Sequence, residues 1–380
     1  MNCGKILLVC MEWKSGMKHY FESVYKAVSQ KKDIEMKIFI LMDPLRNKKE
    51  EITRFPADIS KIEICWKNSN NIGRLLEIIF TGRNDRCLLD FIEEFDPDLI
   101  HIIWDSYFIN NLKQICKKYK VLYTVHDVFP HERAYRNFGQ YIFHKFQIIR
   151  EKRKINQAEF LFTNSLHQKK YLEIKYKNKK VFYANMPSTL TEIIENGGKI
   201  PEEIKKERDY ILFFGRIQKY KGIEYLLEAY EKSNFLQNNF KLVIAGAGQI
   251  YWKTEFNPNV IFINRYIEDE EIRELFTRAK IVVFPYISAT QAGPPAIAHY
   301  FQVPLIVSNV DGLKEFVENK VTGLIFEPKN ATDLKHKMEL LISDSILYEN
   351  IKTNQKKYYE EFYSLEALGK SLGSIYNKII

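Results

Sequence analysis

"FFGRIQKYKGIEYLLEAY", residues 213–230, decides how the chain is read. An apolar run stops at Gly215, Arg216 follows at once, and a helical pattern restarts after Lys221-Gly222. A strand, a short glycine-bearing turn and a helix make the crossing unit of a parallel sheet. Ligands of doubly wound sheets bind outside the carboxyl ends of the strands. A helix starting near Lys221 offers N–H groups and the positive end of its dipole to an anion. Arginine grips phosphate oxygens in pairs, and lysine adds a point charge. Taken alone, the two residues read equally well as surface cations on a loop.

Working outward, the second half repeats this unit. "YILFFG", "KLVIAG", "VIFIN", "IVVFPY", "PLIVSN" and "GLIFEP" are short, apolar and β-branched, as buried parallel strands are. The first half does the same with "KILLVC", "KIFILM", "DLIHIIW", "VLYTVHD" and "EFLFTNS", separated by amphipathic stretches such as "HYFESVYKAVSQ". The expected fold class is α/β, with two Rossmann-like domains facing each other across a cleft. The expected bounds are 1–187 for the first domain, 188–208 for a Gly/Pro-bearing linker, 209–357 for the second domain and 358–380 for a C-terminal helix. Leu365, Leu368, Leu372, Ile375 and Ile379 lie at helical spacing, and Ser364 is a candidate cap. That helix either completes the second core or crosses back to the first domain, and the crossing is the expectation adopted.

At 380 residues the chain is long enough for two cores, and 46% of it is apolar. No run approaches the ~20 apolar residues of a membrane-spanning helix. The start, "MNCGKILLVC", reads as a first buried strand rather than a signal peptide. The five cysteines are odd in number and none forms a C-x-x-C pair, which suits reduced thiols in the cytoplasm. The formal charge of +9 favours anionic partners, or simply keeps the surface soluble. The phosphate loop G-x-x-x-x-G-K-[ST] and the zinc patterns H-E-x-x-H and H-x-x-E-H do not occur. "AGAGQIY" has Tyr251 where a dinucleotide fingerprint needs its third glycine. No nucleic-acid module is recognisable.

Three further stretches carry polar residues at strand ends. "PYISATQAGPPAIAHYFQVP", 285–304, brings Ser288, Thr290, Gln291 and Gly293 after a strand, either as an anion cradle or as a polar turn. Glu315, after the next strand, fits a ligand hydroxyl or serves a helix start. "TVHDVFPHER", 124–133, ends a strand on His126 and Asp127, whereas His101 within "LIHIIW" reads as core. In "MEWKSGMKHYF", Gly16 opens a helix after the first strand.

The ordered series of these blocks resembles the retaining glycosyltransferases of family 4, the group 1 transferases with the GT-B fold. "FFGRIQKYKGIEYLLEAY" is similar to that family's G-R-x(n)-K-G-x-x-x-L-L-x-A block. "LVIAGAGQ", "YIEDEEIRELFTRAKIVVFPY" and "GLKEFVENKVTGLIFEP" follow in the family's order, and "SGMKHYFESVYKAV", "PDLIHIIW" and "VHDVFP" resemble its acceptor-side motifs. The resemblance implies a nucleotide-diphosphate sugar as donor, bound mostly by the second domain, and no metal or other cofactor. It implies that Arg216 and Lys221 hold the diphosphate and that Gly215, Ser288, Thr290, Gln291, Ala292, Gly293 and Glu315 line the donor. Gly16 would admit the first-domain loop to the phosphates, His126 would lie near the transferred sugar, and Asp127 and His19 would face the acceptor.

The chain departs from the family at one place. The usual E-x(7)-E pattern falls here on Ala289 and Ile297. A branch with A-T-Q-S-G in this turn carries Glu where this chain has Ser288, and Gln302 replaces a usual glycine. The expectation is a retaining transferase that moves a hexose to a glycan or lipid-linked acceptor in surface polysaccharide assembly. The alternative is an inactive sugar-nucleotide or glycan-binding accessory subunit. Between Arg133 and Lys154, Phe138, Ile142, Phe146 and Ile149 share a helical face amid Arg136, Lys145, Arg150, Lys152, Arg153 and Lys154. Such a helix suits the inner, anionic face of a membrane, or is a solvated helix of the first domain.

Overall fold

The structure, a computed structural model, describes residues 4–11, 15–31, 33–42, 60–63, 83–105, 109–110, 112–128, 138–188, 190–235, 237–238, 240–252, 257–290 and 292–380. The chain divides into two compact units, 1–184 with 368–380, and 185–367.

Each unit is built on one parallel sheet. In the first, β1 (Gly4–Cys10), β2 (Ile34–Met42), β3 (Ser60–Glu63), β4 (Leu99–Trp104), β5 (Val121–Thr124), β6 (Phe160–Thr163) and β7 (Lys180–Tyr183) lie in the order β3-β2-β1-β4-β5-β6-β7. In the second, β8 (Tyr210–Phe214), β9 (Leu242–Ala245), β10 (Val260–Ile263), β11 (Ala279–Phe284), β12 (Leu305–Ser308) and β13 (Leu324–Phe326) lie in the order β10-β9-β8-β11-β12-β13. The second order runs 3-2-1-4-5-6 within its unit, and the first runs the same way with a seventh strand added at its edge, the doubly wound Rossmann arrangement. The direction of winding reverses between β1 and β4 in one sheet and between β8 and β11 in the other. Ligand crevices of this fold open at that reversal.

The central strands are apolar on both faces because helices cover both. Ile6, Leu7, Leu8 and Val9 of β1 are fully buried, as are Tyr210, Ile211, Leu212 and Phe213 of β8. Two strands were not foreseen, β3 and β7. β7 is an edge strand whose Lys180 is exposed and whose other residues are half-buried, and Lys180 breaks the continuous apolar pattern that marks the others.

The C-terminal helix belongs to the first unit, as expected, although the polypeptide has passed through the second. It runs from Leu365 to Ile379, and Ser364 Oγ caps it by accepting from the Ala367 N–H at 3.1 Å. Its Leu368, Leu372, Ile375 and Ile379 are buried. A Cβ at Gly369 would stand 2.7 Å from the Ala27 carbonyl, so this helix touches the helix Ser15–Ser29 backbone to backbone. His101, at the centre of β4, bonds the Tyr376 hydroxyl at 2.7 Å through Nδ1 and the Thr124 hydroxyl at 2.9 Å through Nε2. It is a core residue, and burial pulls its imidazole down to about 3.

Two boundaries differ from the sequence reading. Residues 358–362 do not start the returning helix. They end the helix Ser345–Phe362, whose Tyr358 and Tyr359 pack on the second core. The stretch 188–208 is not a bare linker either. Leu190, Ile194 and Ile204 enter the second core, and Thr191 caps the short helix Glu192–Asn196. Its glycines and prolines obscured an apolar residue at every few positions.

Cys10 is buried and Cys87 and Cys116 are half-buried, none of them in a disulfide. Cys3 and Cys65 lie outside the described residues. Among the described residues no helix is long and apolar enough to cross a membrane.

Candidate functional site

The opening stretch folds at the winding reversal of the second sheet. β8 ends at Phe214, Gly215 takes φ 143°, and Arg216 projects as an exposed side chain. Lys219–Lys221 form one turn of 3-10 helix, Gly222 adopts the left-handed region at φ 64°, and the helix Ile223–Glu231 follows. The Ile287 N–H donates to the Tyr220 carbonyl at 2.8 Å, which ties this turn to the exit of β11. Arg216 and Lys221 therefore stand at the carboxyl ends of adjacent strands.

One detail of the sequence reading changes. The helix after Lys221 does not offer its first N–H to a ligand, because the Ile223 N–H donates to the Tyr251 hydroxyl at 3.1 Å. That hydroxyl in turn donates to Glu224 Oε2 at 2.7 Å. The two side chains bring positive charge to the turn.

Lys221 is almost wholly buried, with 9% of its surface exposed. Its Nζ stands 3.6 Å from the centre of the Tyr286 ring and 4.9 Å from that of Tyr220. Burial first, and then the Arg216 guanidinium, pull its ammonium down to about 7. Among the described residues no carboxylate offsets either effect. A cation held out of water without an anion is poised to receive one. Tyr286, fully buried and directly after β11, was missed in the sequence. Its place at a strand exit beside a predicted phosphate-binding turn was the available signal.

The second stretch lies beside the first. Ser288 and Ala289 follow β11, Thr290 and Ala292 are buried, and Gly293 precedes the helix Pro294–Tyr300. Gln291 lies outside the described residues. The first two positions of that helix are prolines, so they carry no N–H, and the Ala296 N–H bonds back to the Gly293 carbonyl at 3.1 Å. Any backbone donors here must come from the turn 290–293. The Gly312 N–H donates to the Ala289 carbonyl at 3.1 Å, which docks the helix Asp311–Lys314 against this turn. Glu315 ends that short helix, half-buried, and its carbonyl accepts from Tyr363 at 3.3 Å.

Two positions singled out in the sequence, Ile297 and Gln302, lie in and after the helix Pro294–Tyr300. Ile297 is buried in the second core, where no uncompensated carboxylate would fit. Gln302 has φ 53° and closes the helix with two bonds, its own N–H to the His299 carbonyl at 3.1 Å and the Val303 N–H to the Ala298 carbonyl at 2.9 Å. This is the glycine-type C-terminal cap, here carried by a residue with a Cβ.

In the first unit, Gly16 and His19 lie in the first turns of the helix after β1, and His126 and Asp127 follow β5. Tyr20 joins the two regions, its ring 5.4 Å from that of His126. Trp104, at the end of β4, packs on the other side at 5.1 Å. His126 Nε2 donates to the Ile103 carbonyl at 2.7 Å, since a carbonyl only accepts. Burial holds the imidazole below its ordinary value, against that hydrogen bond and the Asp127 carboxylate. A neutral ring with Nε2 protonated leaves Nδ1 as an acceptor. Asp127 is exposed.

The helix Phe138–Gln157 presents part of the expected face. Tyr141, Ile142 and Ile149 are exposed, together with Lys145, Lys152 and Arg153. Ile149, Lys152 and Arg153 line a groove of about 650 Å³ with Lys113. Two cations of the sequence reading point elsewhere. Lys154 is buried in an ion pair with Asp105, and Arg150 reaches the Asn110 side chain at 2.8 Å. Arg136 lies outside the described residues. Among the described residues, no group of three His, Cys, Asp or Glu side chains is placed to hold a metal ion.

Comparisons with known proteins agree on the kind of protein this is similar to. Residues 199–358 match the family described as glycosyl transferases group 1. An uncharacterized glycosyltransferase of Methanocaldococcus jannaschii is 29% identical over 180 residues, 46% of each chain. The capsular polysaccharide biosynthesis glycosyltransferase CapM of Staphylococcus aureus is 29% identical over 176 residues, 44% of this chain and 46% of its own. The matched part thus spans about half the length of these relatives. Among solved structures, sucrose-phosphate synthase of Thermosynechococcus elongatus superposes with a TM-score of 0.71 at 16% identity, over 99% of this chain and 98% of that one. HepE of Anabaena, in complex with UDP and glucose, superposes with a TM-score of 0.70 at 13% identity, over 99% and 100% of the two chains. At such identities the likeness is one of fold.

Proposed function

We propose that this chain, whose residues 199–358 match the glycosyl transferases group 1 family, transfers a sugar from a nucleotide-diphosphate donor to a glycan or lipid-linked acceptor. The observation that carries the reading is the pair Arg216 and Lys221 at the winding reversal of the second sheet, with no carboxylate among the described residues offsetting the burial of the ammonium. HepE, similar in fold, is a protein solved with UDP and with UDP-glucose, which supports a pyrophosphate as the anion.

In this reading Arg216 and Lys221 neutralise the charge that gathers on the pyrophosphate as the glycosidic C–O bond breaks. The turn containing Thr290, Ala292 and Gly293 adds backbone donors, and Glu315 and Ser288 contribute to donor recognition where the usual glutamates are missing. A donor aimed at developing charge is worth about 3 kcal/mol in a water-poor site. Configuration is retained: the acceptor hydroxyl attacks the face the leaving group departs from, and the departing phosphate takes its proton. No metal takes part. In the first unit, His126 offers Nδ1 to a sugar hydroxyl, and His19 and Asp127 serve the acceptor.

The relatives point to the biological setting. One is a capsular polysaccharide biosynthesis glycosyltransferase and another an O-antigen chain mannosyltransferase. The exposed face of Ile142, Lys145, Ile149, Lys152 and Arg153 suits the anionic cytoplasmic leaflet, where a lipid-linked acceptor would be met.

The test is release of nucleoside diphosphate from a panel of nucleotide sugars in the presence of lipid-linked glycan. Turnover with one donor is expected, and Arg216→Ala or Lys221→Ala should lower it by about two orders of magnitude with the fold intact. Near-normal turnover in both variants would reject the phosphate clamp. Ala289 and Ile297, in place of two carboxylates, favour a second reading as a sugar-nucleotide-binding accessory subunit. Donor binding without turnover across the panel would decide for it.

A further inference from the structure

Among the described residues, few ionisable groups act on Lys221. From the exit of β8 comes Arg216, from the exit of β11 Tyr286, and from its own turn Tyr220, while Lys219 of the same turn is exposed. Glu224, the nearest acid along the chain, is engaged by the Tyr251 hydroxyl at 2.7 Å. Beyond the turn 288–293, the helix Asp311–Lys314 carries Asp311, paired with Lys314 at 2.7 Å, and ends on Glu315. None of these acids contributes to holding a charge on Lys221.

Two effects compete at the Nζ. The face of an aromatic ring attracts an ammonium. Burial and the like charge of Arg216 oppose it, and they prevail, leaving the group near pH 7 rather than in the ordinary lysine range. A pyrophosphate arriving beside Arg216 would reverse the balance, because its charge favours the ammonium at close range. Tyr286 also has a telling feature: its hydroxyl is buried and bonds to nothing. What Lys221 meets at this position is the ring face, 3.6 Å from its centre, and not the phenol.

We propose that Tyr286 is the positioning residue of the phosphate clamp, its ring holding the Lys221 side chain, and that a nucleoside diphosphate binds together with one proton taken up by Lys221. This rests on the donor reading of the same site. The proton comes from solvent and adds to the Nζ lone pair, and no covalent bond to the ligand forms. Donor affinity therefore falls as pH rises above neutrality.

The experiment is calorimetric titration of the whole chain with UDP, GDP and ADP, repeated in buffers of different ionisation enthalpy. At about pH 8, where the diphosphate is fully ionised, binding should be accompanied by net proton uptake, approaching one proton per ligand as pH rises. Lys221→Arg, permanently charged, should bind with uptake near zero. At about pH 7 the wild type should take up less than at pH 8. Tyr286→Leu, which loses the favourable ring, should take up more at that pH and bind more weakly. Tyr286→Phe should match the wild type in both. Tyr286→Met replaces the Leu variant should that one fail to fold.

Binding without proton uptake overturns the inference and leaves the donor reading standing, as does equal uptake in Lys221→Arg. Equal uptake and affinity in Tyr286→Leu, or in Tyr286→Met where it is used, overturns the positioning role. Absence of binding to all three nucleotides overturns the donor reading and the inference with it.

Discussion

A Cβ on Gly222 would stand 2.1 Å from the carbonyl oxygen of Pro285. The exits of β8 and β11 thus meet backbone to backbone, one residue away from Lys221 on one side and from Tyr286 on the other. Gly222 also sits at φ 64°, a conformation that costs an L-residue about 1–2 kcal/mol. Gly222→Ala should lower stability by at least that amount, since the clash adds to it, and should weaken nucleotide binding. Urea denaturation and a nucleotide titration read the two effects. Unchanged values in both would show that the close approach does not set the site.

Gln302 should report the opposite effect. It holds the left-handed cap of the helix Pro294–Tyr300, at φ 53°, with both cap hydrogen bonds formed. Glycine relieves the Cβ strain but gives back some unfolded-state entropy, for a net gain of about 0.5–1 kcal/mol. Gln302→Gly is expected to raise the thermal midpoint without changing donor affinity. A lower midpoint would mean that the Gln302 side chain makes a contribution the cap geometry does not reveal.

Tyr376 should anchor the returning helix. Tyr376→Phe removes the partner of His101 Nδ1 inside the first core. An unpaired buried polar atom costs about 1–3 kcal/mol. The expected outcome is earlier proteolytic release of the C-terminal segment and a lower midpoint. Equal protease resistance would show that apolar packing alone suffices.

His126 sets an acid limit. Its pKa is depressed by burial, so protonation in the folded protein requires a pH below the ordinary imidazole range of about 6.5. Turnover should stay level as pH falls through that value and drop only below it, when Nδ1 gains a proton and ceases to accept. A limb at or above it, abolished by His126→Gln, would contradict the neutral-acceptor role.

The exposed face of the helix Phe138–Gln157 gives a prediction about membranes. Lys152→Glu with Arg153→Glu should weaken sedimentation with phosphatidylglycerol vesicles at low salt, at about 1 kcal/mol for each cation lost. Ile149→Asp should do so at any salt. Wild-type protein that stays in the supernatant at low salt would dismiss a bilayer as the surface this face meets.

Much of the fold was legible because central parallel strands must be apolar on both faces. "KILLVC" and "YILFFG" could be read as little else, and both became the first strand of a doubly wound sheet. The edge strands escaped for the same reason in reverse. β7 is half exposed, so its residues do not form an unbroken apolar run. Of the site, Arg216 and Lys221 were visible because a strand, a glycine and a cation adjoin in sequence. Tyr286 was not, since its meeting with Lys221 joins residues 65 positions apart through the pairing of β8 with β11. Lys154 shows the converse error. In sequence it was one cation in a basic cluster, and only the fold turns it inward to Asp105.

The account depends most on where the diphosphate goes. A crystal structure of the chain with a nucleoside diphosphate tests this directly. The account predicts phosphate oxygens within hydrogen-bonding reach of the Arg216 guanidinium and the Lys221 ammonium, at the carboxyl ends of β8 and β11. A nucleotide bound elsewhere, with both side chains untouched by it, would contradict it.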